Sequence, residues 1–125
     1  MLHNGITKPL LRKLVISFYT KVLKDDLVGP IFIRKLGDDL SGPIWGPHLD
    51  TITNFWASIS LGERDYNSSP YAPHMKLKGL SRDAFNRWLE LFSQTLDSIF
   101  IPAIADKFKE RSTLIAGNFM RNLGL

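Results

Sequence analysis

The sequence predicts an all-α domain. Three observations carry this. Apolar residues recur at helical spacing over long segments. The apolar–polar alternation of half-buried strands is nearly absent. The periodic segments are bounded by residues that start or stop helices, among them Thr7, Gly62, Ser81 and Gly124. Five helical segments are read, four long and one short, and the 125 residues fit one domain, 1–125.

The first segment runs from about Pro9 to Lys24. Thr7 is placed to cap it and Pro9 suits its first turn. Leu10, Leu14, Phe18 and Val22 recur every fourth residue, with Leu11, Val15 and Tyr19 beside them. Gly29 and Pro30 break the pattern. Ile31, Phe32 and Ile33 then read as a corner that buries Phe32. Gly37 to Pro47 is rich in turn formers, and the second helix is predicted from about Pro47 to Leu61, ended by Gly62. Its stripe is His48, Ile52, Trp56 and Ile59, widened by Leu49 and Phe55. A polar loop from Glu63 to Pro73 follows, then a short helical stretch between Pro73 and Gly79. Ser81 caps the next helix, with Asp83 favourable in its first turn and Phe85, Trp88, Leu89, Phe92, Leu96 and Ile99 as its stripe. The last helix starts at Pro102 and buries Ile104, Phe108, Ile115, Phe119 and Leu123 before Gly124.

Composition narrows the chemistry. There is no cysteine, which excludes disulfides, thiolate metal sites and cysteine nucleophiles. Only three histidines are present, His3, His48 and His74, so protein ligands for a metal are few. The apolar runs are too short for a membrane span and no leader pattern opens the chain, which points to the cytoplasm. The net charge of +4 is spread along the chain. In its densest stretch Lys107, Lys109 and Arg111 are interleaved with Asp106 and Glu110. That reads as a solvated helix face and not as a nucleic-acid stripe.

The remaining polar candidates each have two readings. His48 on an apolar helix face is a satisfied core histidine or a group that bonds or ligates something in the core. His74 is an exposed loop histidine or an axial metal ligand whose ring reaches a cleft between longer helices. Tyr19 is a half-buried tyrosine or a hydrogen-bond donor to a bound ligand, and Trp88 a core residue or a second donor. No glycine-rich phosphate loop, HExxH motif or nucleophile elbow is present. The high share of aromatic residues suits a large flat cofactor held between helices.

The order of these residues is informative. Phe18 and Tyr19, then Pro30, Ile31 and Phe32, then His48, are followed by Asn54, Phe55 and Trp56 and by Leu61 and Gly62. Asp65, Tyr66, Asn67, Pro70 and His74 come next, then Arg87, Trp88 and Leu89. On this ordered set the chain resembles the truncated haemoglobins, most of all the third group, found in bacteria, and the resemblance spans nearly the whole sequence.

The resemblance implies a shortened globin fold, a two-over-two helical sandwich around haem b (iron protoporphyrin IX). It implies that His74 is the proximal iron ligand. Tyr19, His48 and Trp88 match the distal polar residues, Ile52 the apolar residue one turn after His48, and Phe32 the ring that packs on the porphyrin. Phe55, Trp56, Met75, Leu80 and Phe92 are further walls. Arg64, Lys76 and Lys78, near His74 in sequence, are candidates for the haem propionates. Pro47 departs from the family pattern and predicts a late start for the distal helix. Ser68 stands where the family often has glycine, which alters a loop turn and not the chemistry.

The implied function is reversible binding of O2, NO, CO or cyanide. The polar trio points to ligand chemistry, NO dioxygenase-like or peroxidase-like, rather than bulk oxygen transport. An unidentified reductase would supply electrons to a cytoplasmic monomer with no nucleic-acid or membrane partner. The alternatives are a haem-based sensor acting through a partner and a cofactor-free helical interaction module.

Overall fold

A computed structural model describes residues 2–61 and 80–125. Within them the chain forms five α-helices: α1 (Lys8–Lys24), α2 (Gly29–Leu36), α3 (Trp45–Ser60), α4 (Arg82–Ile99) and α5 (Pro102–Asn122). No strand is present among the described residues, only an isolated parallel bridge between His3 and Phe100. No described helix is long and apolar enough to cross a membrane.

The helix ends follow the expected chemistry. The Thr7 hydroxyl accepts from the Leu10 amide at 3.3 Å, and Pro9 occupies the first turn of α1, where its missing N–H costs nothing. The Ser81 hydroxyl accepts from the Ala84 amide at 3.1 Å, with Asp83 at the positive end of the α4 dipole. Past α5, Gly124 takes φ +74°, its amide donates to the Arg121 carbonyl, and the Leu125 amide donates to the Met120 carbonyl at 2.8 Å. This pair of bonds closes the helix, and only glycine adopts that φ at no steric cost.

Two elements differ from the sequence reading. The corner around Phe32 is a helix, α2, which the eight residues Gly29–Leu36 complete. Its first two residues are glycine and proline, which reads as a break but also suits the start of a helix. Gly29 is required for packing, because a Cβ there would lie 3.0 Å from the carbonyl oxygens of Val22 and Leu23 at the end of α1. The second difference is at α3, which starts at Trp45, ahead of the predicted position, and not late. Pro47 sits within the first turn, where amides lack helical partners in any case.

The helices pair as α1 with α3 and α4 with α5, and the two pairs meet through α1 and α4. This is the predicted two-over-two arrangement. The buried face of α1 is Leu11, Leu14, Val15, Phe18, Tyr19 and Val22. Between the pairs, Trp88 stacks on Phe92 (centroids 5.5 Å apart, planes at 16°) and Phe92 on Trp56 (5.3 Å, 22°), while Phe18 meets Phe92 edge-on at 5.0 Å. Such pairs add about 0.5–1.5 kcal/mol each beyond the apolar area they bury. Buried Thr53, Thr95 and Ser112 satisfy their hydroxyls on carbonyls of their own preceding turns.

Asp25 joins three helices. Its carboxylate follows α1 and accepts from the amides of Leu27 and Val28, both at 3.0 Å, which organises the turn into α2. It also accepts from the Arg87 guanidinium of α4 at 2.6 Å. Desolvation pushes the Asp25 carboxyl upward, but the Val28 amide, Arg87 and the Leu27 amide together outweigh it, so its pKa lies below the ordinary value. A depressed folded-state value stabilises the fold above about pH 4, and that contribution is lost as pH falls through the lowered value. Asp25→Asn should therefore show a shallower loss of stability on acidification than wild type in thermal melts from neutral pH to about pH 2. Asp25→Ala should lower the neutral-pH midpoint by about 3–6 °C, as for a lost helix cap.

Candidate functional site

Side chains from α1, α3 and α4 converge on one polar point inside an aromatic shell. Tyr19 comes from the buried stripe of α1 and is 2 % exposed. Its ring is surrounded by Phe18 (4.9 Å between centroids), Trp45 (5.1 Å), Phe32 (5.6 Å) and His48 (5.9 Å). A phenol in such a place must bond its oxygen or lose stability. The indole of Trp88, on α4, supplies that hydrogen bond. An indole N–H only donates, so the Tyr19 oxygen accepts and the phenol O–H keeps its capacity to donate. Burial raises the Tyr19 pKa far above its ordinary value, and the Trp88 bond offsets this only in part.

His48 arrives from the first turn of α3. Its ring meets Trp45 in a T-shaped contact at 5.3 Å and its Nε2 atom is buried. One turn on, Ile52 is half-buried, and with Phe55 and Ile59 it continues a half-covered apolar stripe along α3. The adjoining fully buried positions of α3 are Trp45, Leu49, Thr53, Trp56 and Ala57. The sequence reading merged these two faces into one.

An apolar crevice lies beside this cluster. It is lined by Val28, Ile31 and Phe32 from α2 and the turn before it, by Leu80, Ala84, Phe85 and Trp88 at and before α4, and by Phe119 of α5. Trp88 thus belongs both to the crevice wall and to the polar point. Among the described residues no group of three or more His, Asp or Glu side chains comes together to hold a metal.

The structure therefore brings together Tyr19, His48, Trp88 and Phe32, all singled out from the sequence. It places Ile52 and Phe55 on the half-covered face of α3 and Leu80 on the crevice wall. Trp56 and Phe92 stand in the inner stack behind Trp88. Arg64, His74, Met75, Lys76 and Lys78 lie outside the described residues. The sequence reading missed Trp45, which is wholly buried and donates its indole N–H to the Gly37 carbonyl at 2.8 Å. A helix start set at Pro47 left Trp45 in the turn-rich segment. Its spacing of three and four residues from His48 and Leu49 was the signal that it shares their helix. Phe85 and Phe119 were read as core residues, not as walls.

No protein-family model matches the chain. Among curated proteins it is 36% identical over 123 residues to the group 3 truncated hemoglobin ctb of Campylobacter jejuni, covering 98% of this chain and 95% of that one. Among solved structures it is similar to a group III truncated hemoglobin from Campylobacter jejuni, with a TM-score of 0.88 and 35% identity, again over 98% of this chain and 95% of the other. Near-complete coverage of both chains, at this identity and with this closeness of backbone, is more than a shared helical architecture requires. The chain belongs to the truncated haemoglobins, in their third group.

Proposed function

We propose that this globin carries haem b, with His74 as the iron ligand, and uses Tyr19 to hold a diatomic ligand for chemistry rather than for transport. The observation that carries the reading is the Trp88–Tyr19–His48 cluster, with Tyr19 buried among aromatic rings and the other two half-buried beside an apolar crevice. The chemistry of the residues present suits haem. The crevice walls are apolar, the half-covered stripe of Ile52, Phe55 and Ile59 on α3 suits a flat apolar group, and Leu80 on the wall follows His74 closely in sequence. Arg64, Lys76 and Lys78 are the proposed partners of the propionates. When bound, haem supplies a redox-active iron able to take O2, NO, CO or cyanide.

The chain's own residues set what becomes of such a ligand. Tyr19 keeps its proton throughout the physiological range because burial opposes ionisation. Its oxygen is already engaged by Trp88, so its O–H is the donor offered to a ligand that gains negative charge. Trp88 acts by fixing and polarising that phenol, since chained hydrogen bonds strengthen one another. His48 borders the same point and is the third polar group there. A hydrogen bond to a charged acceptor is worth about 1.5–3 kcal/mol, which slows ligand escape at least roughly tenfold. Slow release would suit consumption of oxygen by nitric oxide, with electrons from a reductase, better than oxygen delivery, and the same Tyr19 donor would serve to polarise a peroxide.

The primary test is an optical spectrum. The purified protein should show a Soret band, and His74→Ala should abolish or displace it, whereas a colourless protein that takes up no hemin would end the reading. In stopped-flow measurements Tyr19→Phe should release O2 about tenfold faster or more. Trp88→Phe should have a smaller effect, and the double variant should resemble Tyr19→Phe, because Trp88 works through the phenol. The raised Tyr19 pKa also makes an alkaline prediction. The unfolded chain ionises this phenol near pH 10 while the folded chain does not, so stability should fall above about pH 10. Denaturant melts of Tyr19→Phe in that range should show a smaller decline.

A further inference from the structure

We infer that Trp45 is a positioning residue for the ligand pocket, pinned by the Gly37 carbonyl so that its ring sets the relative orientation of Tyr19 and His48. The inference rests on the functional reading above, in which these two side chains face the ligand.

Trp45 lies in the opening turn of α3, beside Ile44, which is 58% exposed, yet its own side chain is 0% exposed. Burying an indole requires an acceptor for its N–H. Here the acceptor is the main-chain carbonyl of Gly37, where α2 ends, at 2.8 Å. The ring then touches Tyr19 (5.1 Å, planes at 54°), His48 (5.3 Å, 75°) and Phe32 (6.3 Å, 30°). A single rigid group with two side-chain torsions therefore contacts both polar residues and the crevice ring, and one hydrogen bond anchors it outside the pocket. Without the N–H pin nothing polar holds the indole in one rotamer, and the rings resting on it lose a fixed neighbour.

Gly37 gives independent access to the same device. Its φ is +80°, a region that L side chains adopt only under strain, while a Cβ there would meet no atom within 4 Å. Alanine at 37 would thus act through the backbone alone. It would turn the peptide that carries the accepting carbonyl without crowding the pocket.

The test uses the haem-loaded protein, with carbon monoxide as probe of the pocket and O2 release as kinetic readout. The CO stretching band of Trp45→Phe should shift or split relative to wild type, and O2 should leave about tenfold faster, as for loss of one aimed hydrogen bond. Gly37→Ala should move both readouts in the same direction. A purely structural role would lower thermal stability in both variants and leave the CO band and the release rate where they are. A folded, haem-bearing Trp45→Phe with wild-type band and rate would overturn the inference. Should that variant not fold, Gly37→Ala decides by the same two outcomes. A wild-type chain that binds no haem would sink the functional reading and this inference with it, whereas silent variants of a haem-bearing chain sink the inference alone.

Discussion

A phenol enclosed by aromatic rings has to bond its oxygen, and in this globin the bond comes from an indole on a different helix. That requirement organises much of the molecule. Tyr19 and Trp88 belong to α1 and α4, the helices through which the two pairs meet. Their bond spends the acceptor side of the phenol within the protein and, in the proposed function, leaves the donor side for a ligand. The aromatic surroundings keep water out, so the donor is neither solvated nor ionised. In the proposed function, one proton aimed from so dry a place would discriminate between ligands by how much negative charge they take on.

The same turn of α4 holds the outer counterpart of this contact. Arg87, next to Trp88, reaches Asp25 at the end of α1, and Asp25 in turn caps the turn into α2. An ion pair on the rim and an indole–phenol bond within therefore fasten α4 to α1 at neighbouring positions. Behind them Phe92 and Trp56 continue the stack toward α5, where Trp56 meets Phe108 at 5.4 Å. The crevice wall is continuous with the core, so Tyr19 and Trp88 are held by the packing that holds the fold.

Much of this was legible in the sequence where helical spacing and capping chemistry agree. Thr7, Ser81 and Pro102 announce helix starts by side chains or ring geometry that act locally, and Tyr19, Trp88 and Phe32 stand on stripes readable without a partner. Where local signals conflict, the reading failed. Gly29 and Pro30 look like a break, yet tertiary packing against the end of α1 completes a helix there. Pro47 looks like a boundary, yet a proline in a first turn costs no hydrogen bond. Trp45 was overlooked for that reason. Its indole is held by the Gly37 carbonyl, a backbone group that no residue-type pattern reveals. Nor does periodicity separate the two faces of α3, one packed inward and one half-covered, since both are apolar.

Gly29 carries a consequence for the pocket itself. At that point α2 rests directly on the final carbonyls of α1, with only a hydrogen atom between backbones. Phe32 follows one turn later on the same helix and meets the Tyr19 ring from α1. How closely those two rings meet is consequently governed by how near the helices can approach at residue 29. A missing methyl group at one helix crossing thus lets two aromatic surfaces seat against each other a turn away.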